Sequence, residues 1–196
     1  IPGAGLSREY RSAMTLARWL TKRGDPNAAF VALERAQRAA PDDPRPLAEL
    51  ARQAFDAENF LLALEYLERA REVAPQSLDV SCEYGRLLSR IARHEDAFSV
   101  LEDAHLQNPD AIRPLLLLGW ARYRAGQSQR AVSDFDAVLE RQPTSIEAHY
   151  GRARALIDAG DMSDAKRWLY RTIALSPGHA GALRELANLK DLAPGD

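Results

Sequence analysis

Four arginines stand at the same position of a 34-residue spacing, and they are the most distinctive chemical feature of the chain. They are Arg18, Arg52, Arg86 and Arg154, and Trp120 fills that position in the remaining copy. Guanidinium groups bind carboxylates well. Packed helix axes lie about 8–10 Å apart, and an extended peptide advances about 3.3 Å per residue. Arginines on successive helices would therefore meet a bound strand about once every three residues, which predicts an acidic peptide ligand.

A second interpretation is that three of these arginines are neutralised on their own helices. Acidic residues stand at the three- or four-residue spacing of intrahelical ion pairs: Glu49 and Asp56 for Arg52, Glu83 for Arg86, and Asp158 for Arg154. Such pairs contribute about 0.2–0.5 kcal/mol each and require no ligand. Charged residues along a helix usually form a solvated face, so the sequence leaves both interpretations open for these three side chains.

Arg18 differs because no acidic residue lies at those spacings from it. Its helical neighbours are Met14, Thr15, Thr21 and Lys22. Arg11 and Lys22 add positive charge nearby. The sequence therefore predicts an unpaired basic patch of Arg11, Arg18 and Lys22 near the N-terminal end, and favours a binding role for it.

A run of four leucines, residues 115–118, precedes Trp120 and covers more than one face of a helix. A helix packed on one side needs only an apolar stripe, so the surplus apolar residues suggest a binding surface. We expect Leu116 and Trp120 to face a groove, with Tyr123 one turn further and Tyr150 on a neighbouring helix. Tryptophan and tyrosine in a pocket are typical of binding hot spots. The alternative is that Trp120 is covered by packing.

No residue pattern in the chain indicates catalysis. The histidines, His94, His105, His149 and His179, lack the spacing of metal ligands. No phosphate loop, dinucleotide fingerprint or nucleophile elbow occurs. Cys82 is expected to face the groove as a small helix residue without a partnered base. We therefore predict no catalytic residue, no metal site and no cofactor, and we expect the protein not to be an enzyme.

The elements that must position these residues follow from the same period. Five prolines recur at it, and three columns of mostly apolar residues precede each proline by twelve, eight and five residues. The prolines are Pro41, Pro75, Pro109, Pro143 and Pro177, and the columns are Ala29, Ala63, Ala97, Ala131 and Ala165, then Leu33, Leu67, Leu101, Phe135 and Leu169, then Ala36, Ala70, Ala104, Val138 and Thr172. Steps of four and three residues form one helical stripe.

A column of small residues stands earlier in each period, where a second helix can approach closely. Its members are Ala17, Ala51, Gly85, Gly119 and Ala153. Each period therefore predicts two helices. Residues of N-cap type open several of them, at Asp25, Asp43, Ser77, Asp110 and Ser145.

This arrangement resembles the tetratricopeptide repeat (TPR) family over about residues 10 to 190. The first period matches the family pattern at Leu16-Ala17, Gly24-Asp25, Ala29, Leu33, Ala36 and Pro41, and the fourth at Leu118-Gly119, Gly126, Ala131, Phe135 and Pro143. Ala92 departs from the mid-repeat glycine, and Arg152 departs from a bulky apolar residue. The resemblance implies an all-α, right-handed superhelical solenoid of antiparallel helix pairs, in which the first helices line a concave groove.

The phase of the columns predicts five repeats and a terminal helix. We expect residues 1–9 to be a linker or cloning remnant. The expected repeats are 10–43, 44–77, 78–111, 112–145 and 146–179, followed by a capping helix at 180–191 and a tail at 192–196. At the front, Leu6, Tyr10 and Trp19 are expected to leave an apolar edge. That edge would either bind a second copy of the chain or be covered by residues 1–9.

Composition narrows the class of partner. The net charge is −2 at pH 7, which argues against general nucleic-acid binding. No apolar run approaches the ~20 residues of a membrane-spanning helix. We expect a protein or peptide partner with an acidic segment and an apolar anchor. The arginine column and the aromatic residues named above are the candidate contacts.

The resemblance implies a protein-interaction scaffold, and in bacterial arrays of this size it points to assembly of an envelope machine such as a pilus, a secretion system or a polysaccharide exporter. Of the possible compartments, this slightly favours the bacterial periplasm or envelope over the cytoplasm. Two alternatives stay open: an auxiliary domain of a larger enzyme such as a transferase, and a structural protein that assembles with itself through its N-terminal edge.

Overall fold

The computed structural model describes residues 7–191, with side chains through residue 189, and every regular element in that range is an α-helix. Eleven helices follow one another: α1 (Arg8–Arg23), α2 (Pro26–Ala39), α3 (Pro44–Asp56), α4 (Phe60–Val73), α5 (Leu78–Arg90), α6 (His94–Gln107), α7 (Ile112–Arg124), α8 (Ser128–Arg141), α9 (Ile146–Asp158), α10 (Met162–Leu175) and α11 (Ala180–Asp191). Leu6, the tail at 192–196 and most of the predicted linker lie outside the described residues.

Two compact units divide the chain, Ile1–Leu87 and Leu88–Asp196, and their boundary falls inside α5. In the first unit α1 packs against α2 and α3 against α4, and α2 also contacts α3. In the second unit α7 pairs with α8 and α9 with α10, while α6–α7, α8–α9 and α10–α11 contacts join successive pairs. Short turns make each pair antiparallel, which confirms the predicted all-α array of antiparallel helix pairs. No helix within residues 7–191 is long and apolar enough to cross a membrane.

The predicted apolar columns form the core of both units. The alanine column is completely buried, at 0% exposure for Ala29, Ala63, Ala97, Ala131 and Ala165. The large apolar residues four positions later are at most 2% exposed. Burial of a leucine or phenylalanine side chain contributes roughly 1.5–3 kcal/mol. The phase of the repeat is therefore confirmed, since a shift of one or two positions would have exposed these columns.

The turn inside each period uses a left-handed residue at the same position. Three of these residues are glycines, Gly24, Gly126 and Gly160, with φ of 79°, 74° and 86°. The other two are Glu58 and Ala92, with φ of 57° and 62°. The left-handed backbone conformation is roughly 1–2 kcal/mol less favourable for a residue with a Cβ than a right-handed one. The turn geometry is thus kept where the glycine is missing, and those two positions are strained.

Side-chain caps begin several helices as predicted. Asp25 accepts a hydrogen bond from the backbone N–H of Ala28 at 3.0 Å, and Ser145 accepts one from Ala148 at 3.3 Å. Asp43 and Ser77 also cap, through the N–H groups of residues 45 and 80. The prediction for Asp110 is wrong. Helix α7 begins after Ala111, which has no side chain able to accept a hydrogen bond.

Two other expectations are corrected. Tyr10 does not belong to an exposed edge, because it is 3% exposed and packs with Ala13 and Ala36 between α1 and α2. Cys82 does not face a groove, because it is completely buried. Leu16 and Trp19 form the exposed apolar surface of α1 instead.

We expect Ala92→Gly to stabilise the protein by about 0.5–1 kcal/mol, because glycine adopts positive φ without the steric cost that alanine pays. Ala159→Gly is the matched control. Ala159 is also an exposed alanine of the second unit, at the end of α9, but its φ is −80°. At position 159 glycine should destabilise the protein, since it relieves no strain and only raises the conformational entropy of the unfolded chain. Urea unfolding midpoints of the two variants measure the difference, and shifts of the same sign would contradict this account.

Candidate functional site

Phe135 determines the packing beneath the predicted aromatic site. It is the one phenylalanine in a column of leucines, and it is completely buried. Two glycines make room for its ring. A Cβ at Gly119 would lie 2.8 Å from Phe135 Cε1, and a Cβ at Gly151 would lie 2.5 Å from Phe135 Cζ. Both distances are shorter than any real contact, so the large ring and the two glycines of α7 and α9 require one another.

Trp120 packs against Phe135. Its ring contacts the edge of Phe135, with centroids 5.3 Å apart. Tyr123 and Tyr150 flank it at 5.8 and 6.3 Å, and Tyr150 in turn contacts His179 at 4.6 Å. We call Trp120, Tyr123, Tyr150 and His179 the aromatic cluster. Contacts between aromatic rings contribute about 0.5–1.5 kcal/mol each, in addition to the free energy gained by burying their apolar surface. The three predicted aromatic residues are therefore brought together, and His179 joins them.

The exposure of the aromatic cluster is intermediate. Trp120, Tyr123 and Tyr150 are all half-buried. The indole Nε1–H of Trp120 is covered and has no hydrogen-bond partner among the described residues. A buried donor without an acceptor costs about 1–3 kcal/mol. Leu116 is also partly buried and packs against the core of the second unit beside Trp120.

Arg154 is held by the aromatic cluster and by α11. Its guanidinium lies 5.0 Å from the ring centroid of Tyr123 and 6.0 Å from that of Tyr150. Its carboxylate partner is Glu185, at 3.8 Å, and not the Asp158 that the sequence suggested. Glu185 stands on α11, 31 residues away in the chain. Arg154 is thus partly neutralised, but by a partner that helical spacing does not indicate.

Asp158 has a different role, as a hydrogen-bond acceptor for Tyr123. Burial raises the pKa of the Tyr123 hydroxyl above its usual value, and the charge of Arg154 lowers it in part. The charge of Asp158 and the hydrogen bond that it accepts raise the pKa again. Tyr123 therefore stays protonated near neutral pH and points its polar end at Asp158. Its ring is left as the contact surface.

Gly181 allows Tyr150 to pack closely against α11. A Cβ at this position would lie 2.6 Å from the hydroxyl oxygen of Tyr150. This glycine of α11 belongs to the candidate site and was not predicted from the sequence. The turn from α10 into α11 offered no signal for it, because the contact depends on where Tyr150 points.

A second candidate surface lies in the first unit, between α1 and α3. Arg18, Lys22 and Arg52 line one pocket of about 280 Å³, which we call the basic pocket. Met14 and Glu49 are also among the residues that line it. Arg52 pairs with Glu49. Arg18 and Lys22 are exposed and form no ion pair with any described residue. The pocket therefore presents two uncompensated cations.

The basic patch predicted from the sequence is divided by the structure. Arg11 does not line the basic pocket. It lines another cavity, with Leu16 and Trp19. A seven-residue spacing keeps Arg11 and Arg18 on nearly the same side of α1, but two helical turns, about 10 Å along the axis, separate them.

Arg86 is occupied by packing. It pairs with Glu83 at 2.6 Å and its guanidinium lies 4.0 Å from the ring centroid of Phe55. Its side chain is 28% exposed. A guanidinium held by both a carboxylate and an aromatic face has less to offer a ligand. The intrahelical pairing predicted for Arg52 and Arg86 is present in the structure.

His149 belongs to the packing of α9. It is buried, its Nδ1 lies 2.8 Å from the backbone oxygen of Ser145, and its ring contacts Trp168 at 5.2 Å. Its contacts are therefore those of a core residue. Within the described residues, no three metal-ligating side chains come together.

Comparison with known proteins places this geometry in a family. A family model for the tetratricopeptide repeat matches residues 116–180. The solved structure of TTC0263, a thermophilic TPR protein in Thermus thermophilus, is 22% identical and superposes with a TM-score of 0.79, over 93% of this chain and 100% of that chain. Residues 116–180 thus match the tetratricopeptide repeat family, and the array has the fold of TPR proteins. Its array is also similar to MamA from Desulfovibrio magneticus RS-1, with 19% identity and a TM-score of 0.73 over 90% of this chain and 99% of that chain.

Two further proteins are similar to this chain, one in structure and one in sequence. YrrB, a TPR protein with an unusual peptide-binding site, is 17% identical with a TM-score of 0.66, over 93% of the TPR chain described here and 100% of YrrB. Protein FlbA of Caulobacter vibrioides is 27% identical over 144 residues, which are 74% of this chain and 24% of FlbA. The TPR chain thus spans about a quarter of the length of this curated relative.

We expect Gly151→Ala to destabilise the protein by about 1–3 kcal/mol, because its new methyl group overlaps the Phe135 ring. In a Phe135→Leu background the same change should cost much less, and a double-mutant cycle on urea unfolding gives the coupling energy. Gly178→Ala is the control, since a Cβ there meets no atom within 4 Å. Additive effects of Gly151→Ala and Phe135→Leu would show that the ring and the glycine are independent.

Proposed function

We propose that this TPR array is a non-catalytic scaffold that binds a partner peptide or helix carrying an apolar anchor and acidic residues. The observation that carries the proposal is the aromatic cluster, a half-exposed group of rings that a buried phenylalanine and two glycines hold in place. Residues that served only to fill the core would be fully covered. Tryptophan, tyrosine and arginine are the residues most enriched in binding hot spots.

The apolar anchor of the partner is proposed to contact Trp120, Tyr150 and Leu116. Desolvation of these side chains contributes the free energy of binding. The covered indole N–H of Trp120 would favour partners that offer it a hydrogen-bond acceptor. A small rotation of the ring on binding would give this donor an acceptor from the partner, which removes the cost of leaving it unpaired. Arg154 adds a cation beside the rings that Glu185 compensates only in part.

The acidic residues of the partner are proposed to contact the basic pocket. Arg18 and Lys22 are its unpaired cations, and Arg52 shares its charge with Glu49. Surface charges of this kind mainly accelerate association and select partners, and contribute less to the strength of the final complex. Arg86 has a smaller part in this proposal because it is already held by Glu83 and Phe55.

The comparisons support a peptide-binding role at the level of the family, because the similar YrrB has a peptide-binding site. The bacterial FlbA relative and the excess of arginine over lysine in the sequence support a bacterial setting. Within it, we propose assembly of an envelope machine as the role. A second candidate is an auxiliary module of a larger protein, which is favoured by the small share of FlbA that the chain spans.

Trp120→Ala should weaken partner binding by about 2 kcal/mol or more, because a hot-spot tryptophan contributes that much. Peptides are selected on the wild-type array from a random phage-displayed library, synthesised and titrated by calorimetry against both proteins. We expect the selected peptides to combine aliphatic or aromatic residues with Asp or Glu.

Tyr170→Ala is the matched control for this experiment. Tyr170 is also an aromatic residue of the second unit, is 55% exposed and stands on α10 outside the aromatic cluster. It should leave the affinity unchanged. Equal affinity of the wild type and Trp120→Ala for every selected peptide, or loss of binding in Tyr170→Ala to the same extent, would refute the assignment of the site.

Arg18→Glu should slow association of the acidic peptides, with a smaller effect on dissociation, because it removes an attractive charge and adds a repulsive one. The difference between wild type and variant should shrink as salt is raised. Stopped-flow measurements at several salt concentrations test this. Arg38→Glu, an equal charge reversal at an exposed arginine of α2, serves as the control. Identical association rates for the two variants would exclude the basic pocket as a contact.

A further inference from the structure

The outer face of α1 exposes a contiguous apolar surface. Leu16 and Trp19 are 48% and 52% exposed. Together with Arg8, Arg11, Ser12 and Thr15 they line a shallow cavity of about 550 Å³. We call Ser12, Leu16 and Trp19 the α1 outer face. Neighbouring large apolar side chains that are about half exposed indicate a contact surface.

The repeat itself shows what this face is shaped to contact. In α9 the positions equivalent to Ser12 and Trp19 are Ala148 and Ala155, and both pack against Phe135 of α8. In α11 the positions equivalent to all three residues are Ala182, Leu186 and Leu189, and they pack against Leu169 of α10. Each of these faces is thus the surface through which a first helix docks on the second helix before it.

The other first helices in the described range bury the same positions. The residues equivalent to Leu16 are Leu50, Tyr84, Leu118 and Leu186, and none is more than 7% exposed. The last member of that column is Arg152, whose side chain is 14% exposed. Leu16 is therefore exposed at a position that packing covers in every later period.

We propose that the α1 outer face is a docking site for an acidic amphipathic helix of another polypeptide, bearing a small–large–small stripe of the Ala-x3-Leu-x2-Ala type. The second helices of this chain present such a stripe to the first helix that follows, so the α1 outer face has the shape to receive one. The rim of the cavity is basic. Arg8 and Arg11 line the cavity, and Arg23 lies 4.9 Å from the Trp19 ring centroid. Glu9 does not offset them, because it pairs with Arg35 at 2.9 Å.

A second copy of the chain fits this face less well. Two α1 outer faces brought together would place Arg8, Arg11 and Arg23 of each copy against their equivalents, which like-charge repulsion disfavours. The stripes that the face is shaped for are also occupied within each copy, since their central residues, Leu33, Leu67, Leu101, Phe135 and Leu169, are at most 2% exposed. The helix that docks must carry its own free stripe.

Helix α6 supplies the sequence of a suitable probe. Residues 94–107 read HEDAFSVLEDAHLQ, with the stripe Ala97, Leu101 and Ala104 and four acids at Glu95, Asp96, Glu102 and Asp103. The probe is a fluorescein-labelled peptide of this sequence with a staple across its polar face, because an isolated helix of this length is marginal in water. Its binding to the full chain is followed by fluorescence anisotropy.

We expect saturable binding that Leu16→Asp and Trp19→Ala each weaken at least about tenfold and that added salt weakens further. Leu61→Asp should have no effect, since Leu61 is 83% exposed on α4 outside this face. Trp120→Ala should also have no effect, which separates this site from the aromatic cluster. A probe with Asp in place of its central leucine should not bind.

Three results would overturn the proposal. The first is a probe affinity that Leu16→Asp leaves unchanged. The second is binding that appears only after residues 1–6 are deleted, which would make that segment the occupant. The third is self-association of the chain, measured by sedimentation velocity, that Leu16→Asp abolishes, which would make a second copy the occupant. Circular dichroism of each variant shows whether its helices are intact.

Discussion

The close approach of two helices at a completely buried alanine is the constraint on which this architecture depends. A larger side chain at Ala29 or its equivalents would separate the helices of a pair, and the leucine four residues later would lose the cavity that it fills. The contact recurs every 34 residues, so each helix pair inherits its geometry from it. The exposed faces can then vary freely, and the arginine column and the aromatic residues are such variations.

The aromatic cluster shows how a change in the core is transmitted to the surface. In four periods the large core residue is leucine, and in one it is Phe135. The longer ring reaches the positions where Gly119 and Gly151 lack side chains, and its edge supports Trp120. Core and surface are therefore coupled in this period, and the proposed binding surface gains rigidity from the residues packed beneath it. Rigid aromatic groups lose little entropy on binding, which favours affinity.

The sequence was sufficient for the fold and for part of the site, because both depend on contacts at short, regular spacing. Periodicity identifies the buried columns and the aromatic residues on α7. It does not reveal Glu185 as the partner of Arg154, since that ion pair joins residues of different helices at a distance set by packing. It also does not reveal that Arg11 and Arg18 line different cavities, because a seven-residue spacing gives both nearly the same direction around α1 and does not show how far each cavity extends along the helix.

Helix α11 does more than cover the helix pair before it. It covers Leu169, it supplies the carboxylate that holds Arg154, and Gly181 admits the hydroxyl group of Tyr150. Helix α11 thus forms one wall of the aromatic cluster and also covers the core at Leu169. Removal of this one helix would expose part of the core and leave Tyr150 and Arg154 without their present neighbours, so folding and the proposed recognition site depend on the same helix.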